Sequence, residues 1–443
     1  MTKEKYNLLI KDNKKQIRQF ILLHKYEEAL SKIANMANML YESNQYYVDD
    51  DLENALLNIQ KQLQKKYDFE EIKDVNTKTV LFYDGFGLDS RGLAYIYIKA
   101  LVNLGYKVIY VTIPNAQGNI PRITKLIENA GGEIVFCRTD SYTLWYQYIY
   151  KVFSIVKPAK AFFYTTPYDV SAVMAFNQLA GQVERYQINL TDHAFWLGVN
   201  VFDFCLEFRE YGAGISHYKR GIAAEKLLMQ PFYPWVGKKE KFAGYPFERE
   251  QDDFIIFSGG NVYKIIDKNK TYYKMVAEIL KRHGNVKFWY ASNCELPQDM
   301  KLLIEQFPGR VFFTDERIDL LAVLENIDMY LSTYPIAGGL MYQYVAMAGK
   351  VPYTLCADEE SKGMLLNEED LGIYYYDLEE MLSDVDRYIT DEAYRAYKNN
   401  KMKNTIIKPE SFISNLNLIM TEQKSAYYYT VKDYDVRNFQ KIY

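Results

Sequence analysis

Short apolar runs separated by helix-length segments recur along most of this chain, and that alternation points to open parallel sheets with helices on their faces. From Thr79 the runs are Val80–Tyr83, Val108–Val111, Ile134–Cys137, Ala161–Tyr164, Tyr186–Asn189 and Phe204–Phe208. A helix is expected over Arg91–Leu104, with Leu93, Tyr97, Ala100, Leu101 and Leu104 on one face. Pro231–Trp235 and then Gly237–Lys241 break the pattern and read as a linker. A second series follows: Phe254–Phe257, Val286–Tyr290, Val311–Phe313, Met329–Leu331, Val351–Thr354 and Ile373–Tyr376, with helices expected over Thr271–Arg282 and Ile318–Glu325. Ahead of both, Lys3–Tyr67 has helical spacing (Phe20, Ile21, Leu23, Leu30, Ile33, Met36, Leu40, then Leu52, Leu56, Ile59, Leu63) and predicts a helical hairpin or small layer packed on its neighbour.

The fold class is therefore α/β. A length of 443 residues exceeds one typical core and fits a helical extension over 1–75, a first α/β domain over 76–235 and a second over 250–443. Late helices are expected at Asp391–Lys403 and Pro409–Met420. With 49% apolar and 25% charged residues the chain has globular composition, and its 42 Tyr and 24 Phe suit sugar-binding walls or simply cores. A net charge of −4 without a basic block argues against a nucleic-acid partner. Cys137, Cys205, Cys294 and Cys356 are scattered, with neither metal-ligand spacing nor a disulfide framework, which fits a reducing compartment. Met1–Lys15 is polar, and no window approaches the roughly 20 apolar residues that span a bilayer. The expectation is a cytoplasmic protein, with the inner membrane face or a partner protein reachable through Lys-rich helices.

Two regions concentrate chemistry-bearing residues. Asp328–Pro352 reads strand, Pro/Gly turn, helix, strand, so backbone N–H groups of Gly338–Met341 at the helix start would face a phosphate or sugar hydroxyl; an ordinary βα turn has the same pattern. Asn189–Gly198, with Asp203, Glu207, Arg209, Gly212 and Ser216 beyond it, follows a strand at the sheet's carboxyl edge. His193 could serve there as base or phosphate ligand with Asp192 orienting it, or the ring could only cap backbone groups beside Trp196. Asp84–Gly92 is a glycine-containing βα loop lacking the full dinucleotide or P-loop pattern. Asp49, Asp50 and Asp51 suit a helix cap better than a metal site, and no metal is expected.

The run Ala346-Met347-Ala348-Gly349-Lys350-Val351-Pro352 after the glycine turn, and Phe254–Ser258 leading into Gly259-Gly260-Asn261-Val262-Tyr263-Lys264, resemble the nucleotide-sugar domain of GT-B glycosyltransferases. Tyr334-Pro335-Ile336-Ala337-Gly338-Gly339 looks closest to O-linked N-acetylglucosamine transferase-like members, and Asp192–Gly198 resembles a segment of bacterial polysaccharide glycosyltransferases. The resemblance implies two Rossmann-like domains facing a cleft, with late helices that in many GT-B proteins cross back onto the first domain. It also implies transfer of a sugar, without metal or cofactor, from a nucleotide-sugar (a UDP-sugar foremost) to a hydroxyl of a lipid-linked glycan, glycan or glycoprotein. Implied sugar-donor residues are Ser258, Gly259, Lys264, Tyr334, Pro335, Gly338, Gly339 and Gln343. Reaction-centre residues are His193 and Asp192, and acceptor-side residues are Asp84, Asp89, Arg91 and Arg209. Retaining members commonly carry Glu where Val345 stands, which leans the expectation toward inversion. The alternatives are a GT-B-shaped nucleotide-sugar epimerase, which would gather more carboxylates and histidines than His193 and His217, and a non-catalytic subunit, which would lose Lys264 and the glycine turn.

Overall fold

The computed structural model describes residues 3–436 except 68, 90, 91, 238 and 239. The chain opens with α1 (Lys3–Leu22), α2 (Tyr26–Ser43) and α3 (Asp50–Lys66). Asp49 caps α3, accepting from the Leu52 N–H at 3.1 Å, and Lys14 pairs with Asp49 at 2.7 Å and Asp51 at 2.8 Å, so this acidic triplet is a helix start. Leu30, Ile33, Ala37 and Leu40 of α2, and Leu52, Leu56, Ile59 and Leu63 of α3, are buried at spacings of three and four, the stripe that a helix lays on a core.

The first sheet consists of β1 (Asn76–Asp84), β2 (Lys107–Thr112), β3 (Glu133–Phe136), β4 (Pro158–Tyr164), β5 (Glu184–Ile188), β6 (Phe204–Glu207) and β7 (Leu227–Met229). Among the described residues it is parallel and ordered β3-β2-β1-β4-β5-β6-β7. Its crossovers contain α4 (Leu93–Asn103), α5 (Pro121–Asn129), α6 (Tyr142–Val156), α7 (Val170–Gln178) and α8 (Glu210–Tyr218). Leu81, Tyr83, Ala161 and Phe163 share one cluster with α2, α3, α6 and α7, so the N-terminal helices form part of this domain's core. On the opposite face Phe82 stacks with Phe162 and Tyr110. The strand β7 had no counterpart among the expected runs, because three residues are too few to show a period.

The second sheet holds β8 (Phe254–Gly259), β9 (Val286–Ala291), β10 (Val311–Thr314), β11 (Met329–Leu331), β12 (Pro352–Leu355) and β13 (Tyr374–Tyr375), ordered β10-β9-β8-β11-β12-β13 among the described residues. Its helices are α9 (Thr271–Arg282), α10 (Gln298–Gln306), α11 (Leu320–Glu325), α12 (Gly339–Met347), α13 (Leu378–Thr390) and α14 (Glu392–Lys401). Phe254 and Ile256 join the cluster beneath α9 and α13, while Ile255 and Phe257 join the one with α11, as strand alternation requires.

The helix α15 (Pro409–Glu422) corrects the expected domain limits. The chain divides into one compact unit up to Phe232 together with the segment from Pro409, and a second, Tyr233–Lys408. Phe412 meets Tyr97 of α4 at a 5.0 Å centroid distance, and the Asn415 amide donates to the Met229 carbonyl at 2.9 Å, so this helix completes the first unit and does not belong to 250–443. The aromatic excess also finds its place: Tyr83, Tyr110, Tyr186, Tyr290, Tyr330 and Tyr353 are among the largest fully buried side chains.

Candidate functional site

In the second unit β8 lies beside β11, where the strand order reverses, and the loops leaving both strands meet there. The Ile336 N–H lies 3.4 Å from the Lys264 carbonyl, and a Cβ built on Gly338 would sit 3.7 Å from Lys264 Nζ. The structure thus brings together Lys264, Gly338, Gly339 and the half-buried Tyr334 and Pro335, which are joined by a cis peptide bond. The turn is braced from behind: Thr333 Oγ1 donates to the Ile336 carbonyl at 2.6 Å, and the Tyr342 hydroxyl lies 3.1 Å from Ser332 Oγ and 3.0 Å from Thr354 Oγ1.

Lys264 is half-buried, and no acidic group among the described residues pairs with its ammonium. Burial depresses its pKa, and the field of Glu360 opposes that shift. A cation held this way next to the first turn of α12 suits an anion, because the N–H groups there have no intrahelical acceptor. Met341 is an exception to the expected donor set: its N–H is used on the Gly338 carbonyl at 2.8 Å. Gln343 is likewise inside the protein, its amide donating to the Met364 carbonyl at 3.2 Å, so it ties α12 to the loop after β12. Ser258 and Gly259 are buried at the end of β8.

In the first unit the loops after β1, β4, β5 and β6 share one edge of the sheet. Asp192 is fully buried and takes a two-pronged contact from Arg209, Nε to Oδ2 at 2.5 Å and Nη2 to Oδ1 at 2.9 Å. Burial alone would raise the Asp192 pKa; the guanidinium outweighs it and holds the carboxyl well below the usual range. An ionised Asp192 can only accept, so the 3.3 Å contact makes His193 Nδ1 the N–H, and in the neutral ring it is then Nε2 that carries the lone pair. Nearby, Glu207 accepts from Asn189 Nδ2 at 3.0 Å and Ser216 Oγ at 2.6 Å, and burial raises its pKa. Arg220, also buried, completes a group of two carboxylates and two guanidiniums, the balance that buried charge requires.

Three acceptor-side assignments change. Asp84 accepts from the N–H groups of Phe86 at 2.8 Å and Gly87 at 3.0 Å and from the Tyr110 hydroxyl at 2.6 Å, which shapes its own loop. Asp89 accepts from the Arg122 N–H at 2.7 Å and the Ile123 N–H at 3.3 Å at the start of α5. Arg209 is sequestered with Asp192. Arg91 lies outside the described residues.

Arg220 and Glu53 were missed. Arg220 grips carbonyls 26 to 29 residues upstream, and Glu53 accepts from the Gly198 N–H 145 residues away, separations at which a single sequence gives no local signal.

No protein-family model matches this sequence, and a search of curated proteins finds no match. Among solved structures, a mutant of the Thermobaculum terrenum O-GlcNAc transferase superposes with a TM-score of 0.59 at 13% identity, covering 93% of this chain and 81% of that one. A glycosyltransferase from Rickettsia africae gives 0.57 at 11% identity over 79% and 98%. The UDP-GlcNAc 2-epimerase of Neisseria meningitidis, bound to UDP-GlcNAc, gives 0.50 at 12% over 78% and 98%. The chain has the GT-B fold. The GT-B assignment accounts for two parallel sheets in one chain and matches the architecture implied by the Lys264 and Gly338 segments. Among its described residues no helix is long and apolar enough to cross a membrane.

Proposed function

We propose that this GT-B chain is a metal-independent glycosyltransferase that moves a hexosyl or N-acetylhexosaminyl group from a UDP-sugar to a hydroxyl acceptor with inversion. The acceptor belongs to a surface glycan, a glycolipid or a glycoprotein. The observation that carries the reading is Lys264, a half-buried ammonium without an ion-pair partner among the described residues, beside the Gly338 turn at the start of α12. A diphosphate leaving group gains negative charge as the glycosidic bond breaks, and a fixed cation with helix N–H groups stabilises it without a metal. His193, with Nε2 as acceptor, takes the hydroxyl proton of the attacking acceptor, and Asp192 stabilises the imidazolium that results. The neighbour bound to UDP-GlcNAc supports the UDP choice.

The test is a calorimetric binding screen of wild-type and Lys264→Ala protein against UDP-, GDP-, CDP- and dTDP-sugars, with and without chelator. Chelator-resistant binding of one UDP-sugar, weakened at least tenfold in the variant, is expected. No binding to any of them would replace the transferase by a non-catalytic subunit, and epimerised sugar after incubation without an acceptor would replace it by an epimerase.

A further inference from the structure

We propose that Arg220 is a positioning residue that sets the orientation of the His193 imidazole by gripping the backbone on both sides of it. Its Nη2 is shared among the carbonyls of Thr191 at 3.1 Å, Asp192 at 2.8 Å and Ala194 at 2.6 Å, while Nη1 reaches Ser216 Oγ at 3.3 Å. The peptide group that enters His193, through the Asp192 carbonyl, and the peptides that follow Thr191 and Ala194 are therefore tied to one rigid plane. That plane is itself fixed, because the guanidinium carbon lies 5.3 Å from the Tyr47 ring centroid and 5.1 Å from that of Trp196, and Arg220 is 4% exposed.

The need for such a grip follows from the imidazole's surroundings. The His193 side chain is 39% exposed, and among the described residues its hydrogen-bond partner is Asp192, at a long 3.3 Å. Its direction is inherited from the backbone, and the backbone carbonyls are what Arg220 holds. Tyr47 stands on the connection between α2 and α3, so the helical layer takes part in the same arrangement. A lysine ammonium could donate to these carbonyls, but it has neither a second nitrogen to reach Ser216 Oγ at the same time nor a flat face for the Tyr47 and Trp196 rings, so nothing would fix its orientation.

The inference rests on the reading of His193 as base, and two readouts separate the two claims. The first needs no substrate: two-dimensional nitrogen–proton spectra of the histidine rings in wild-type protein and Arg220→Lys. With four histidines in the chain, the His193 signals are assigned from a His193→Ala sample. One Nδ1–H tautomer is expected in wild-type protein, and a mixed or broadened set in R220K. Identical His193 signals in the two proteins would overturn the proposal.

The second readout is UDP release from UDP-GlcNAc. R220K should lower kcat at least tenfold with the sugar-donor KM within twofold, and should cost less than twofold more when added to H193A. Multiplicative losses in H193A/R220K would mark Arg220 as acting independently of His193 and overturn the proposal. Full turnover by H193A would sink the base reading alone, and the ring spectra would still decide the positioning claim. Should R220K fail to fold, Tyr47→Leu keeps the guanidinium and removes one stacking face; the same spectral change is expected, and its absence would overturn the proposal.

Discussion

At the scale of single residues, buried polar groups in this protein work in sets, and glycines matter where they make room for those sets. A Cβ on Gly212 would come within 2.5 Å of Glu207 Oε2 and 3.1 Å of Asp192 Oδ2, inside the paired-charge group. Gly212→Ala should therefore cost roughly 3 kcal/mol, the range for disturbing a buried ionic network. Gly181→Ala, at φ +73° with open space around it, should cost only about 1 kcal/mol from backbone strain; urea denaturation of both variants checks the contrast. Lys264→Met should leave stability unchanged or slightly raised, since it removes a partly desolvated ammonium, while binding of the UDP-sugar falls at least tenfold. A parallel loss of melting temperature and binding would instead make Lys264 a structural residue. That Lys264 and the Gly338 turn lie side by side follows the expectation drawn from the two local motifs. The roles of Asp84, Asp89 and Gln343 were not legible in the sequence, because a side chain that bends back to cap its own loop and one that reaches a ligand look the same in one dimension.

At the scale of elements, the helix α3 is joined to the loop after β5 by the Glu53 carboxylate, which accepts from the Gly198 N–H at 2.8 Å. Burial raises its pKa from 4.5 to about 7, against the hydrogen bonds from the Gly198 and Val199 backbone. Burial likewise raises Asp169 from 3.8 to about 6, opposed by Tyr83 and the Ala172 N–H. A carboxyl with a raised folded-state pKa binds its proton more tightly when folded, so its favourable contribution is complete below the unfolded pKa and fades as pH climbs through the folded value. Each unit of such a shift is worth about 1.4 kcal/mol. The first unit should therefore lose stability between about pH 4.5 and 7, and Glu53→Gln should flatten the fall without abolishing it. Melting temperatures of both proteins at pH 5 and pH 8 test this, and equal slopes would contradict it. The strands and most helices were visible in advance because strands buried on both faces form continuous apolar runs, as Val80–Tyr83 and Phe254–Phe257 do. The periodicity of α15 showed a helix but not which unit it joins, since its buried Phe412, Leu416 and Ile419 would suit either core; only the resemblance to GT-B proteins pointed back to the first domain, and the expected bounds of 250–443 did not follow it.

At the scale of the whole molecule, the second unit is one continuous stretch and the first is made of two pieces. A fragment of residues 233–408 should fold alone, with a cooperative melt. A fragment of residues 3–232 should expose the surface that α15 covers and gain stability when a peptide of residues 409–436 is added; no gain from the peptide would show that α15 contributes little. The same arrangement has a temporal consequence. As the ribosome makes this chain from its N-terminus, the segment up to Phe232 emerges first yet lacks its last helix until the segment from Pro409 has followed. The later-made stretch between them has all its strands and helices at hand before then, so the half of the protein that starts first is the half that finishes last.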